Sequence, residues 1–77
     1  MKVKIVLKVT INSELDELKA LKAALEPDFK DWDIRLNDDS LTFIKEEKSP
    51  SRAKALSISL FRAIELFYKV RMLKDNL

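Results

Sequence analysis

The chain has 77 residues, 47% hydrophobic and 36% charged, with a net charge of +2. Those values describe one small folded domain over residues 1–77, with a modest core and no room for a second unit. It contains no cysteine, histidine or glycine, which excludes a disulfide framework, thiolate chemistry, the commonest general base and metal ligand, and any glycine-rich phosphate loop or nucleophile elbow.

Residues 2–11 alternate. Val3, Ile5, Leu7, Val9 and Ile11 point one way; Lys2, Lys4, Val6, Lys8 and Thr10 point the other. Period two with β-branched residues predicts a strand with one buried face and lysines wetting the other. Asn12 or Ser13 is then placed to cap a helix, and Glu14, Asp16 and Glu17 complement its dipole in the first turn. The helix is expected from about Ser13 to Leu25. Its buried stripe is Leu15, Leu18, Leu21 and Leu25, helped by Ala24, and Pro27 ends it.

Residues 27–30 read as a loop. Residues 31–36 alternate again, with Trp32, Ile34 and Leu36 inward. Asn37-Asp38-Asp39-Ser40 is turn chemistry, and residues 41–45 return with Leu41 and Phe43 inward, which makes a hairpin. A charged connector, residues 46–48, leads to the longest periodic stretch, Ser49 to Leu77. Ser49 is free to cap it, and Pro50 suits its first turn. Ala53, Leu56, Leu60, Ile64 and Phe67 form one stripe, with Phe61 and Tyr68 as near neighbours. Leu66, Val70 and Leu73 flank that stripe. At about 100° per residue, the combined apolar arc covers roughly half the circumference or more. A helix that covered only a small sheet needs a narrower arc, so the remainder is expected to meet another protein.

The order strand, helix, strand, strand, helix predicts an α+β fold: βαββα, a three-stranded antiparallel sheet of order 1-3-2 with both helices on one face. Two sheet edges remain exposed to self-pairing. A two-fold axis near Ile34 sets Asp33 opposite Arg35 in both directions, which favours pairing of the second strand with its copy. An axis at Val6 on the first strand instead sets Lys4 opposite Lys8.

No catalytic constellation, cofactor site or metal site emerges. Asp38 and Asp39 belong to a turn, Asp28 and Asp31 flank Phe29 in a loop, and Ser57 and Ser59 have no histidine to activate them. Tyr68 flanks the core stripe. The expectation is therefore a protein without turnover. Arg52, Lys54, Arg62 and Lys69 are the candidate RNA contacts; exposed aromatic residues that would stack bases are not evident. No run of about 18 apolar residues suits a membrane span. Met1-Lys2-Val3-Lys4 lacks the apolar stretch of a secretory signal. A cytoplasmic location follows as the expectation.

The first strand, the segment Ala24-Leu25-Glu26-Pro27-Asp28, the hairpin, and Ser51-Arg52-Ala53 opening a long apolar helix together resemble the small dimerisation subunit of the archaeal KEOPS complex, a family that includes the eukaryotic CTAG/LAGE-like proteins. The resemblance covers nearly the whole chain. Where family members often carry an Asn-Ser pair in the last helix, this chain has Ser57-Ile58-Ser59, which also fits a divergent paralogue. The resemblance implies a non-catalytic subunit of a machine that adds threonylcarbamoyl to an adenosine of tRNAs reading codons that begin with A. Such a subunit binds the catalytic transferase subunit, forms a homodimer or pairs with a paralogue, and helps tRNA engage. Helix phase, rather than a family motif, selects Leu18, Lys22, Leu66, Val70 and Leu73 as the partner-binding residues. A stand-alone RNA-binding module is the second expectation.

Overall fold

The computed structural model describes residues 3–75, with side chains as far as residue 73. Lys2 of the expected first strand and the side chain of Lys74 lie outside the described residues. The elements run β1 (Ile5–Asn12), α1 (Leu15–Leu25), β2 (Asp33–Leu36), β3 (Ser40–Glu47) and α2 (Pro50–Asp75). The sheet order is β1-β3-β2 with both ladders antiparallel, as the sequence pattern predicts. None of the described helices is long and apolar enough to cross a membrane.

Alternation sets the two faces of the sheet. Ile5, Leu7, Val9 and Ile11 lie opposite Glu47, Lys45, Phe43 and Leu41 of β3, while Ile34 and Leu36 of β2 meet Phe43 and Leu41 from the other side. Leu18, Leu21 and Leu25 of α1 and Leu60 of α2 join Leu41 and Phe43 in one buried cluster, so both helices cover this face. Lys4, Thr10, Thr42, Asp33 and Arg35 lie on the opposite face. There the hydroxyls of Thr10 and Thr42 share a hydrogen bond of 3.2 Å.

Several local expectations are corrected. Neither Asn12 nor Ser13 caps α1. The β1–β3 ladder runs on to Asn12↔Ser40, and the Ser13 N–H donates to the Asp39 carbonyl at 3.2 Å. Both residues are held by the sheet, and the extended residue before the helix is Glu14, whose side chain makes no capping bond. Residues 27–30 are not an open loop. A 3-10 turn, Glu26–Asp28, follows α1 directly, and the Phe29 N–H is shared between the Leu25 and Glu26 carbonyls at 3.2 and 3.3 Å. This turn carries Phe29 into the core, where its ring meets Trp32 edge-on with centroids 6.1 Å apart. Trp32 is buried as predicted, but β2 begins after it, at Asp33. Strand β3 is longer than expected and takes in Glu46 and Glu47.

The start of α2 is fixed by those last strand residues. The Glu47 carboxylate accepts from the Lys48 and Ser49 N–H groups at 3.0 and 3.4 Å and sits 3.5 Å from the Arg52 guanidinium. Ser49 caps the helix as expected: the Arg52 N–H donates to its hydroxyl at 3.4 Å and the Ala53 N–H to its carbonyl at 2.9 Å. From there α2 runs for 26 residues, about 39 Å. The molecule extends 53 × 23 × 19 Å with a radius of gyration of 13.8 Å, against roughly 11–12 Å for a compact chain of this length. The long helix overhangs its own sheet.

Leu60 is fully enclosed at the centre of the packed half of α2. Leu60→Ala is expected to lower stability by about 2–5 kcal/mol through lost burial and a residual cavity, measured by urea unfolding. Acid should also loosen the start of α2. The backbone N–H of Lys48, with that of Ser49 and the charge of Arg52, holds the Glu47 carboxyl below its ordinary value of 4.5. A carboxylate depressed in the folded state contributes stability above 4.5, and that contribution is lost as pH falls through the lowered folded value. Asp31, lowered by its hydrogen bond to Lys45, and Glu65, lowered by Lys69, act in the same sense. Unfolding midpoints should therefore fall below that pH, and Glu47→Gln should make the fall shallower.

Candidate functional site

The packed half of α2 ends where α1 crosses it. The start of α1 meets α2 at Tyr68, whose hydroxyl is pushed up first by burial and then by the neighbouring Glu17 carboxylate. The end of α1 meets α2 on its other flank. Between them lies an open groove of about 530 Å³. Ala24, Leu25 and Asp28 form its α1 side; Ala63, Leu66, Phe67, Val70 and Arg71 form its α2 side.

Residue size explains why a groove forms here. Ala24 and Ala63 stop at Cβ, so the two elements approach without filling the space between them. Phe67 is half-buried, with the Arg71 guanidinium 5.5 Å from its ring centroid and the Tyr68 ring edge-on at 5.4 Å. That stacking keeps an arginine over apolar surface with its charge in water. Asp28 and Arg71 are the ionisable groups of the lining, so the groove is apolar with opposite charges at its margin.

The structure divides the five residues expected from helix phase to bind a partner. Leu66 and Val70 line the groove and are 62% and 48% exposed. Leu73, on the same flank, is 67% exposed but lies beyond the lining. Lys22 is half-buried near the end of α1 and pairs with Glu26 at 3.1 Å. Leu18 is corrected: it is 0% exposed and belongs to the core. It shares the inward stripe of α1 with Leu21 and Leu25, and helix phase cannot give such a residue to the core and to a partner at once. Ala24, expected in the buried stripe, is exposed and lines the groove. Phe61, expected beside the core stripe, is 54% exposed, and Met72 stands out at 64% on the same flank of α2. Phe67, Arg71 and Asp28 were missed as groove residues. Their signal was weak: a stripe residue, a terminal cation and a loop acid, each with a sufficient local explanation.

The other candidate residues do not converge on the groove. Asp33 and Arg35 pair with each other on β2 at 2.9 Å, and Ile34 between them points inward, half-buried. Of the candidate RNA contacts, Arg52 pairs with Glu47 at 3.5 Å and Lys69 with Glu65 at 2.8 Å. Lys69 is raised by that hydrogen bond and charge. Lys54 and Arg62 are exposed and make no ion pair among the described residues. At about 100° per residue, Arg62 and Lys69 share a flank of α2, Lys54 lies to one side, and Arg52 is on the opposite flank. Asp38 and Asp39 are exposed in the hairpin turn. Among the described residues no three acidic side chains gather as a metal site would require. The arrangement can bury an apolar helix or loop.

Comparison with protein-family models, with curated proteins and with solved structures gives no match.

The core and groove leucines should respond differently to charge. Leu18→Glu is expected to abolish cooperative unfolding, because the carboxylate would be buried without a partner. Leu66→Glu should stay within about 0.5 kcal/mol of the parent chain, as surface changes do. Thermal melts followed by far-UV circular dichroism distinguish the two.

Proposed function

We propose that this chain is a non-catalytic assembly and dimerisation subunit of the KEOPS tRNA threonylcarbamoyladenosine modification complex. In this role the groove and the overhanging end of α2 dock the catalytic transferase subunit, and the assembled complex engages tRNA. The observation that carries the reading is the exposure of Leu66, Val70 and Leu73 along one flank of α2 after the sheet and α1 have covered what they can. A partner helix laid along that flank would bury the three side chains at i, i+4 and i+7 spacing. Asp28 and Arg71 at the margin would set its direction by meeting a basic and an acidic residue. The βαββα order and the resemblance of Leu25-Glu26-Pro27-Asp28 and Arg52-Ala53 to the family support the same assignment.

A stand-alone RNA-binding module has less support, since Arg52 and Lys69 are already neutralised by Glu47 and Glu65. In the proposed role Lys54 and Arg62 contribute a weak, salt-sensitive share of tRNA contact inside the complex.

The test is direct binding to the purified catalytic transferase subunit by calorimetry. The parent chain should bind it, and Leu66→Glu/Val70→Glu should weaken binding by about a hundredfold or more with an unchanged circular dichroism spectrum. Equal affinity of parent and variant would remove the groove from the interface. No binding by the parent chain would remove the assignment itself.

A further inference from the structure

We propose that two copies of this chain cover each other's groove, the overhanging ends of their α2 helices lying side by side and antiparallel. The inference rests on the reading of the groove as a docking surface, and not on which protein docks there. Ala63, Leu66, Val70 and Leu73 follow one another at spacings of three, four and three residues. That is the a/d repeat of a two-stranded helical seam. It runs for about 15 Å of α2. Leu66, Val70 and Leu73 are exposed, so the seam stands open where the helix passes beyond the sheet. Ala24 and Ala63 line the groove beside it, and side chains that stop at Cβ leave room for a second helix.

Charge and shape select a second copy in one orientation. A two-fold axis level with Tyr68 sets Leu66 against Val70 of the copy and Leu73 against its Ala63, and the reverse. The largest exposed side chain of the seam thus meets the smallest, and the layers interlock. The axis also keeps the α1 side of both copies on one side of the seam. The end of each α2 then passes along the other copy's groove, and its Arg71 comes to the side that holds Asp28. These two are the ionisable groups of the lining and are opposite in sign, so each copy answers the charge at the other's margin. A parallel pair would instead set Arg71 level with Arg71 and Asp28 level with Asp28, with both sheets crowded at one end. Antiparallel pairing puts the sheets at opposite ends, clear of each other. On the far side of the seam Lys69 nears its copy, but each is held by Glu65 at 2.8 Å, which offsets the like charges. So short a seam makes an interface at the small, transient end of the range. Self-pairing and the docking of a partner exclude each other, because both use the same side chains.

The experiment is disulfide trapping in the full chain, which has no cysteine of its own. Single-cysteine variants with unchanged circular dichroism spectra are mixed, oxidised mildly and identified by mass spectrometry. Ala63→Cys should cross-link to Leu73→Cys. Leu73→Cys should not cross-link to itself, because its copy lies about 15 Å away along the seam, beyond disulfide reach. Lys54→Cys, exposed on the far side of α2, sets the background from chance collision. Asp28→Arg in both chains should slow the Ala63→Cys/Leu73→Cys cross-link about threefold, as a pair at an exposed margin does, and adding Arg71→Asp should restore it. Trapping at the Lys54→Cys background, self-linking of Leu73→Cys, or indifference to Asp28→Arg would each overturn the pairing. No other protein enters the measurement, so its failure is separate from a failure of transferase binding.

Discussion

A mismatch of lengths governs this molecule. Eight-residue strands span about 27 Å, while the 26 residues of α2 span about 39 Å. The helix cannot slide to share its excess between both ends. Its first turn is held at the end of β3 by the Glu47 carboxylate and by Ser49, through bonds to the Lys48, Ser49, Arg52 and Ala53 N–H groups. All the surplus therefore appears at the C-terminal end. Ala53 and Leu60 are buried, whereas Leu66, Val70 and Leu73 on the flank away from Tyr68 are exposed. The groove, the elongated shape and the line of exposed leucines are three consequences of that anchoring.

The features legible in the sequence were those that repeat. Alternation in Val3 to Ile11 and in Ile34 to Leu36 gave strand faces, Asn37-Asp38-Asp39-Ser40 marked the hairpin, and the stripe of α2 placed Leu66, Val70 and Leu73 at its margin. What failed to repeat was hidden. Phe29 reaches the core from a 3-10 turn, where no period of two or 3.6 applies, and a residue between Asp28 and Lys30 looks like loop. The cap of α1 was misplaced because Asn12 and Ser13 have good capping chemistry, and the length of the β1–β3 ladder, a non-local property, takes them first. Leu18 shows the limit of phase alone: an angle on a helix says which residues share a face, but not where one neighbour ends and the next begins. The groove depends on that boundary and on two alanines, and absent side chains leave little periodic trace.

Charge in this chain works locally. Most ion pairs, such as Lys4–Glu46 and Lys69–Glu65, join exposed side chains, and pairs of that kind contribute little to stability and less as salt rises. Lys45 is the exception in placement: it sits on the helix-bearing face at the end of the sheet, mostly covered, and reaches Asp31 at 3.2 Å. It ties the segment before β2 to the central strand where apolar contact runs out. Six cations, Lys4, Lys22, Arg35, Lys45, Arg52 and Lys69, are thus answered by a carboxylate close by among the described residues, which lowers the local positive field around each of them.

Under the proposed role, small size turns the exposed apolar flank into an asset for assembly. A domain of this length buries few large side chains, here eight in its central cluster, and its margin over unfolding is correspondingly narrow. Leaving Leu66, Val70 and Leu73 in water forgoes apolar burial that a shorter helix would never have needed. Any partner that covers them stabilises the folded form by mass action, since the unfolded chain offers no such continuous stripe. Under the proposed role, fold stability and complex formation become one linked equilibrium.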